Sequence, residues 1–84
     1  MYYTYLLRSA KDQQYYVGFT RDLKTRFEQH AKGQVESTRD RRPLTLIYYE
    51  ACLNEADALR RERYLKTYHW KMFIRKRLKE FLEK

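Results

Sequence analysis

The carboxylate at position 62 stands where a charge is costly. If "ALRRERYLK" (58–66) is helical, Ala58, Leu59, Leu65 and Lys66 share one face and Glu62 lies at its centre. Burying a carboxylate there is unfavourable unless it is paired with a cation or binds a metal ion. Two readings follow: a structural ion pair with one of the many arginines, or a functional acid. Arg26 and His30 raise a similar question. They are four residues apart, so on a helix they are neighbours, beside Leu23 and Phe27. A guanidinium can grip an anion, and an imidazole can exchange a proton near neutral pH. The simpler roles are a surface charge for Arg26 and, for His30, a favourable place near a helix C-terminus. Two tyrosine-bearing stretches, "YTYLL" (3–7) and "YYVGFT" (15–20), complete the set. Tyr5 and Tyr16 are either good strand formers or two hydroxyls aimed at one target.

These side chains need elements to hold them. "YYTYLLR" (2–8) and "QYYVGFT" (14–20) are rich in aromatic and β-branched residues around polar "AKDQ", which reads as a β-hairpin. "RDLKTRFEQHAK" (21–32) carries Leu23, Phe27 and Ala31 at helical spacing, with Thr20 as N-cap and Gly33 as stop. A polar, basic loop (33–43) ends at the only proline, and "LTLIYYE" (44–50) is a third strand. Asn54 caps a helix over 55–66. A last amphipathic helix spans 70–82, with Trp70, Phe73, Ile74, Leu78, Phe81 and Leu82 on one face. No Gly or Pro marks whether residues 67–69 separate these two helices. The order ββαβαα predicts an α/β (α+β) fold, a small three-stranded antiparallel sheet flanked by three helices.

Register decides whether the two tyrosines can cooperate. A four-residue loop, Ala10 to Gln13, pairs Ser9 with Gln14 and Leu7 with Tyr16. Tyr5 then shares a sheet face with Tyr16, whereas a five-residue loop without a bulge places them on opposite faces. The four-residue register is the expected one.

A length of 84 residues leaves room for one domain, 1–84, with one modest core. The hydrophobic share of 43% and aromatic share of 17% argue against disorder. Nineteen Lys and Arg against eleven Asp and Glu give a net charge of +8. Such charge, interleaved with aromatics, is the footprint of a polyanion binder, nucleic acid above all. Cys52 is the only cysteine, which excludes an internal disulfide and a cysteine-built metal site. A free thiol suits a reducing cytoplasm. The opening "MYYTYLLRSAKD" has too short an apolar run for a signal peptide, so a soluble cytoplasmic protein is expected.

Taken in order, "YTY" (3–5), "YVG" (16–18), "GFTRDLKTRFEQHAKG" (18–33), "RRPLTLIYYE" (41–50) and "ALRRERYLK" (58–66) resemble the GIY-YIG nuclease superfamily in its short stand-alone, single-domain bacterial branch. The likeness runs from about residue 2 to 80. It departs from the pattern at Tyr3, where the family has its first glycine, and at Thr67, where a glycine is common. The resemblance implies an active site of Tyr5, Tyr16, Arg26, His30 and Glu62, with Glu62 holding one divalent cation, Mg²⁺ or Mn²⁺. It implies that Gly18 permits close backbone approach before the helix.

Elementary chemistry is compatible with that implication. Phosphodiester hydrolysis needs a nucleophilic water, a base, and positive charge on the developing oxyanion. Mg²⁺ is content with one or two carboxylates plus waters and substrate oxygens. No carboxylate cluster of the two-metal kind is visible in the sequence, so a one-metal scheme fits better. Arg26 would grip the phosphate, while Tyr5, Tyr16 and His30 compete for the role of base. Arg39, Arg41 and Arg42 in the loop, together with Lys66 and Lys71, are candidate phosphate contacts. For Arg75, Lys76, Arg77 and Lys79 a solvated polar face is the expected role. The leading expectation is a DNA endonuclease, with DNA preferred to RNA, acting in repair or recombination. The alternative is a non-catalytic nucleic-acid- or ribosome-binding module. A larger protein partner could supply specificity that 84 residues leave little surface to provide.

Overall fold

The computed structural model describes residues 1–67 and 70–82; the side chains of 70 and 71 fall outside that description, and so do the expectations placed on Trp70 and Lys71. Strand β1 (Tyr2–Ser9) turns back into β2 (Tyr15–Thr20) through the expected four-residue loop. The Ser9 N–H donates to the Gln14 carbonyl at 2.9 Å, and the Gln13 N–H returns to the Ser9 carbonyl at 2.9 Å. The Asp12 carboxylate accepts from the Gln14 N–H at 2.9 Å, a local turn bond that short acidic side chains readily make.

Strand β3 (Leu44–Cys52) pairs with the other edge of β1, giving the antiparallel order β2-β1-β3. A central strand is covered on both faces, which explains why Thr4, Tyr5, Leu6 and Leu7 are all buried. Leu7 pairs with Tyr16 and Tyr5 with Gly18, so the two tyrosines do share a face. The β1–β3 register shifts between Leu6 and Leu7, where one extra residue, Ile47, is accommodated as a bulge.

The two faces bury different chemistry. The even-numbered face of β1 packs on α2 (Glu55–Leu65) and α3 (Trp70–Arg77), where Leu6, Val17, Leu65 and Ile74 form the apolar core. Tyr48, Phe73, Leu78 and Leu82 close it, and the Thr4 hydroxyl donates to the Ala58 carbonyl at 2.8 Å. Removing one such Leu side chain from water stabilises the fold by about 1.5–3 kcal/mol. The odd-numbered face, with Tyr5, meets α1 (Leu23–Ala31) instead.

Helix ends differ from the expectation in one place. Asp22, not Thr20, caps α1: its carboxylate accepts from the Thr25 N–H at 3.1 Å and from the Thr25 hydroxyl at 2.9 Å. Two acceptor oxygens let Asp22 do both, and the Thr20 hydroxyl accepts instead from the Asp22 N–H at 3.1 Å. Gly33 stops the helix as expected. Its φ of 77° is a left-handed conformation that glycine adopts without penalty. The Gly33 and Gln34 N–H groups then cap the His30 and Gln29 carbonyls. Asn54 caps α2 through the Asp57 N–H at 3.1 Å.

The last helix is divided, with α4 (Lys79–Leu82) following α3 after Leu78. The Leu78 N–H still reaches the Ile74 carbonyl at 2.8 Å, so the break is slight. Phe81 was expected on the buried face, yet it is 46% exposed. Ile74, Leu78 and Leu82 repeat every four residues and hold the core side, which leaves Phe81 beyond its edge. No helix among the described residues is long and apolar enough to cross a membrane.

Candidate active site

The site grows from one side chain that the sheet swallows. Tyr5 is 1% exposed at the centre of β1, and its ring lies across β2 at Gly18. A Cβ at Gly18 would collide with the ring carbon and hydroxyl at the tip of Tyr5. Glycine there is thus a steric requirement of the phenol's position, and φ plays no part.

Above the ring sits α1. His30 is fully buried on its inner face, and its Nε2 lies 2.8 Å from the Tyr5 hydroxyl. The rings meet edge-on with centroids 5.7 Å apart. Tyr16, half-buried, brings its ring to 5.3 Å from His30 and 6.5 Å from Tyr5. One helical turn before His30, Arg26 lies beside the Tyr5 hydroxyl. It is half-buried, donates from Nη1 to Gln29 Oε1 at 3.2 Å, and keeps a buried Nε–H without a hydrogen-bond partner. Arg26 is therefore more than a surface charge, and His30, though it does stand in the last turn of α1, turns its ring inward.

Burial sets the electrostatics. Loss of water pushes the Tyr5 pKa above the ordinary phenol value, and the negative charges that Tyr16 and Glu62 can carry add to the rise; the Arg26 guanidinium opposes it. Burial also holds the His30 imidazole down at about 4, with Arg26 repulsion adding to the effect. At neutral pH the site therefore contains a protonated phenol against a neutral imidazole.

Glu62 joins this group electrostatically. It projects from α2, is 18% exposed, and its charge reaches the Tyr5 phenol. Its protein partner is Lys66 Nζ at 3.5 Å from Oε2, one helical turn on, and not one of the arginines. Lys66 is 54% exposed and flexible enough to yield. Among the described residues no group of three or more His, Cys, Asp and Glu side chains is placed to hold a metal. Glu62 belongs to no such group.

The basic loop is fastened next to the site. Arg39, Arg41 and Arg42 are exposed, and Arg39–Arg41 form a 3₁₀ turn. Ser9 Oγ donates to the Arg41 carbonyl at 2.6 Å, and the Arg42 Nε–H donates to the Arg39 carbonyl at 2.9 Å. The preceding residue, Thr38, is completely buried, with its hydroxyl 2.7 Å from His30 Nδ1. Sequence reasoning missed Thr38, because a lone hydroxyl among charges carries no periodicity or spacing signal. A separate groove of about 770 Å³ lies on the other flank of α1, lined by Tyr3, Leu23, Phe27, Leu46 and Tyr49, and none of the five candidate residues lines it.

Known proteins share the sequence pattern and the fold. Residues 1–78 match the profile of the GIY-YIG catalytic domain. A UPF0213 protein of Pediococcus pentosaceus is 40% identical over 84 residues, covering 99% of this chain and 82% of its own length. A UPF0213 protein of Staphylococcus aureus is 35% identical over 68 residues, covering 80% of this chain and 82% of its own. A UPF0213 protein of Bacillus halodurans, solved by solution NMR, superimposes with a TM-score of 0.55 at 32% identity over 88% of this chain and 82% of that one.

Proposed function

The chain belongs to the GIY-YIG family, whose domains are usually nucleases, and from that premise we propose that it is a one-metal endonuclease hydrolysing phosphodiester bonds in DNA. The whole of 1–84 acts as a single nuclease domain, serving repair or recombination in the cytoplasm, with a larger partner supplying substrate choice. The observation that carries the proposal is the buried Tyr5–His30 hydrogen bond beside Arg26.

Glu62 would hold the divalent cation, with Mg²⁺ or Mn²⁺ the fitting choice. When bound, the ion supplies positive charge to the phosphate oxygens as negative charge builds on them. Arg26 grips the scissile phosphate, and its unmet Nε–H is a donor that an arriving anion satisfies. Arg39, Arg41, Arg42 and Lys66 track neighbouring phosphates, while Gly18 serves the site by leaving room for the Tyr5 ring.

The two pKa shifts rank the bases. Tyr5 alone is a poor base, since its phenol is protonated. His30 is in the neutral, accepting form, but it is buried and its Nε2 faces Tyr5. The pair works as a relay: the attacking water gives a proton to the Tyr5 oxygen while the Tyr5 proton moves to His30 Nε2. Hydroxide then forms its bond to phosphorus as the bond from phosphorus to the leaving oxygen breaks, and that oxygen takes up a proton from solvent. Burial and Arg26 both hold the imidazole pKa down; a bound phosphate offsets the second and makes His30 a better acceptor in the complex. Tyr16, nearer the surface, orients the water or a phosphate oxygen.

A second reading, a nucleic-acid- or ribosome-binding module without catalysis, takes support from the Lys66–Glu62 ion pair, which such a module would keep. One experiment separates the two. Supercoiled plasmid and branched duplex are incubated with the protein in Mg²⁺ or Mn²⁺, beside Glu62→Gln. The proposal expects metal-dependent nicking that falls roughly 100-fold or more in the variant, as loss of several kcal/mol of charge stabilisation requires. Nicking that is equal in the variant removes Glu62 from the mechanism. Binding without nicking in either metal establishes the module.

A further inference from the structure

His30 is neutral, so it carries one ring proton, and the two bonds it makes decide where that proton sits. Nε2 lies 2.8 Å from the Tyr5 hydroxyl and Nδ1 lies 2.7 Å from the Thr38 hydroxyl. Tyr5 is 1% exposed, so its own O–H needs a protein acceptor. Arg26, which also lies beside it, is a donor only. The group with acceptor capacity that lies within hydrogen-bond distance of that hydroxyl is Nε2. If Nε2 accepts, the ring proton must be on Nδ1 and must point at Thr38.

Thr38 is built for that bond. It occupies the position before the 3₁₀ turn Arg39–Arg41, where a threonine hydroxyl ordinarily caps the free N–H groups, yet its side chain makes no capping bond. The hydroxyl faces His30 instead. The backbone on either side is fixed: the Thr38 N–H donates to the Val35 carbonyl at 3.2 Å, and the Thr38 carbonyl accepts from the Arg41 N–H at 3.0 Å. Ser9 ties the same turn to the hairpin by its 2.6 Å bond to the Arg41 carbonyl.

We propose that Thr38 is a positioning residue that holds His30 in its Nδ1–H tautomer, so that Nε2 accepts the Tyr5 proton. The effect on rate rests on the nuclease reading; the tautomer does not. Because Thr38 leads directly into Arg39 and Arg41, the segment expected to touch phosphates also carries the group that sets the proton's place.

Two readouts on the intact protein test this. Long-range ¹H–¹⁵N NMR of the His30 ring reports which nitrogen is protonated, and DNA nicking in Mn²⁺ reports rate. Wild type and Thr38→Ser should show the Nδ1–H form. Thr38→Val, which keeps the shape and loses the acceptor, should populate the Nε2–H form. Nicking should fall roughly 10- to 100-fold in Thr38→Val and recover in Thr38→Ser, the range found for groups that orient a functional histidine. An Nε2–H signal in the folded wild type overturns the inference whatever the activity. An unchanged tautomer in folded Thr38→Val overturns it as well. If the tautomer moves as expected while no variant nicks DNA, the positioning role stands and the nuclease reading fails.

Discussion

The two faces of the β-sheet bury different chemistry, even though Leu7 is buried on the upper one and the Thr4–Ala58 hydrogen bond on the lower. Beneath it, Leu6, Val17, Leu65 and Ile74 pack against one another. Above it, Tyr5, His30 and Thr38, each 1% exposed or less, form a hydrogen-bonded chain under α1. Apolar packing is non-directional and tolerates substitutions of similar volume. A buried polar chain is favourable only when every member is satisfied, and it fixes orientation as well as position. The lower face therefore provides stability and the upper face provides geometry. Their placement on one central strand, even residues down and odd residues up, means that a single stretch of β1 serves both.

That contrast can be broken from either side. The largest effect is expected below the sheet. Leu65→Ala should destabilise the fold by about 2–5 kcal/mol through lost burial and the cavity left behind; urea unfolding measures it. A cost under about 1 kcal/mol would mean that the lower face is not the main source of stability.

The upper face should announce itself through pH. The folded pKa of His30 is about 4, below the 6.5 of an unperturbed histidine. Above pH 6.5 the residue is neutral in both folded and unfolded chains. As pH falls towards 4 the unfolded chain takes up a proton that the folded chain resists, so stability drops; below about 4 both forms are protonated and this contribution ends. The full loss is at most about 3–4 kcal/mol. Thermal melts of wild type and His30→Gln between pH 7 and 4 isolate it, and parallel curves would show that His30 is not the group responsible.

The smallest expected effect is at the rim. If the basic loop follows phosphates, Arg41→Ala should reduce the slope of log affinity against log salt by about one, while leaving stability within about 0.5 kcal/mol. An identical slope removes Arg41 from the contact surface.

Much of this contrast was legible in the sequence, and the reasons are local. Hairpin register follows from loop length, so the sequence reduces the shared face of Tyr5 and Tyr16 to a choice between a four- and a five-residue loop, and the pairing bears out the four-residue one. Helical spacing placed Arg26 and His30 together. The direction they face could not be read, because α1 has polar residues on several sides and the choice between sheet and solvent is tertiary. The partner of Glu62 was likewise open: arginines are abundant, but Lys66 lies one turn away on the same helix and takes the short route. Thr38 is joined to His30 across a loop that bears no repeat, so only the folded chain discloses it. Phe81 shows the reverse error, an apolar residue assigned inward by periodicity and left outside because Ile74, Leu78 and Leu82 take the core side.

The division between the faces meets its most direct test at the Tyr5 hydroxyl. Tyr5→Phe removes one oxygen from the upper face and leaves the ring over Gly18. Its rate of DNA nicking in Mn²⁺ should be measured on protein whose folding is checked by circular dichroism and a melt. The account predicts a folded variant with nicking reduced by about 100-fold or more, the scale of a lost acid–base group. A folded variant that nicks DNA at the wild-type rate would contradict it.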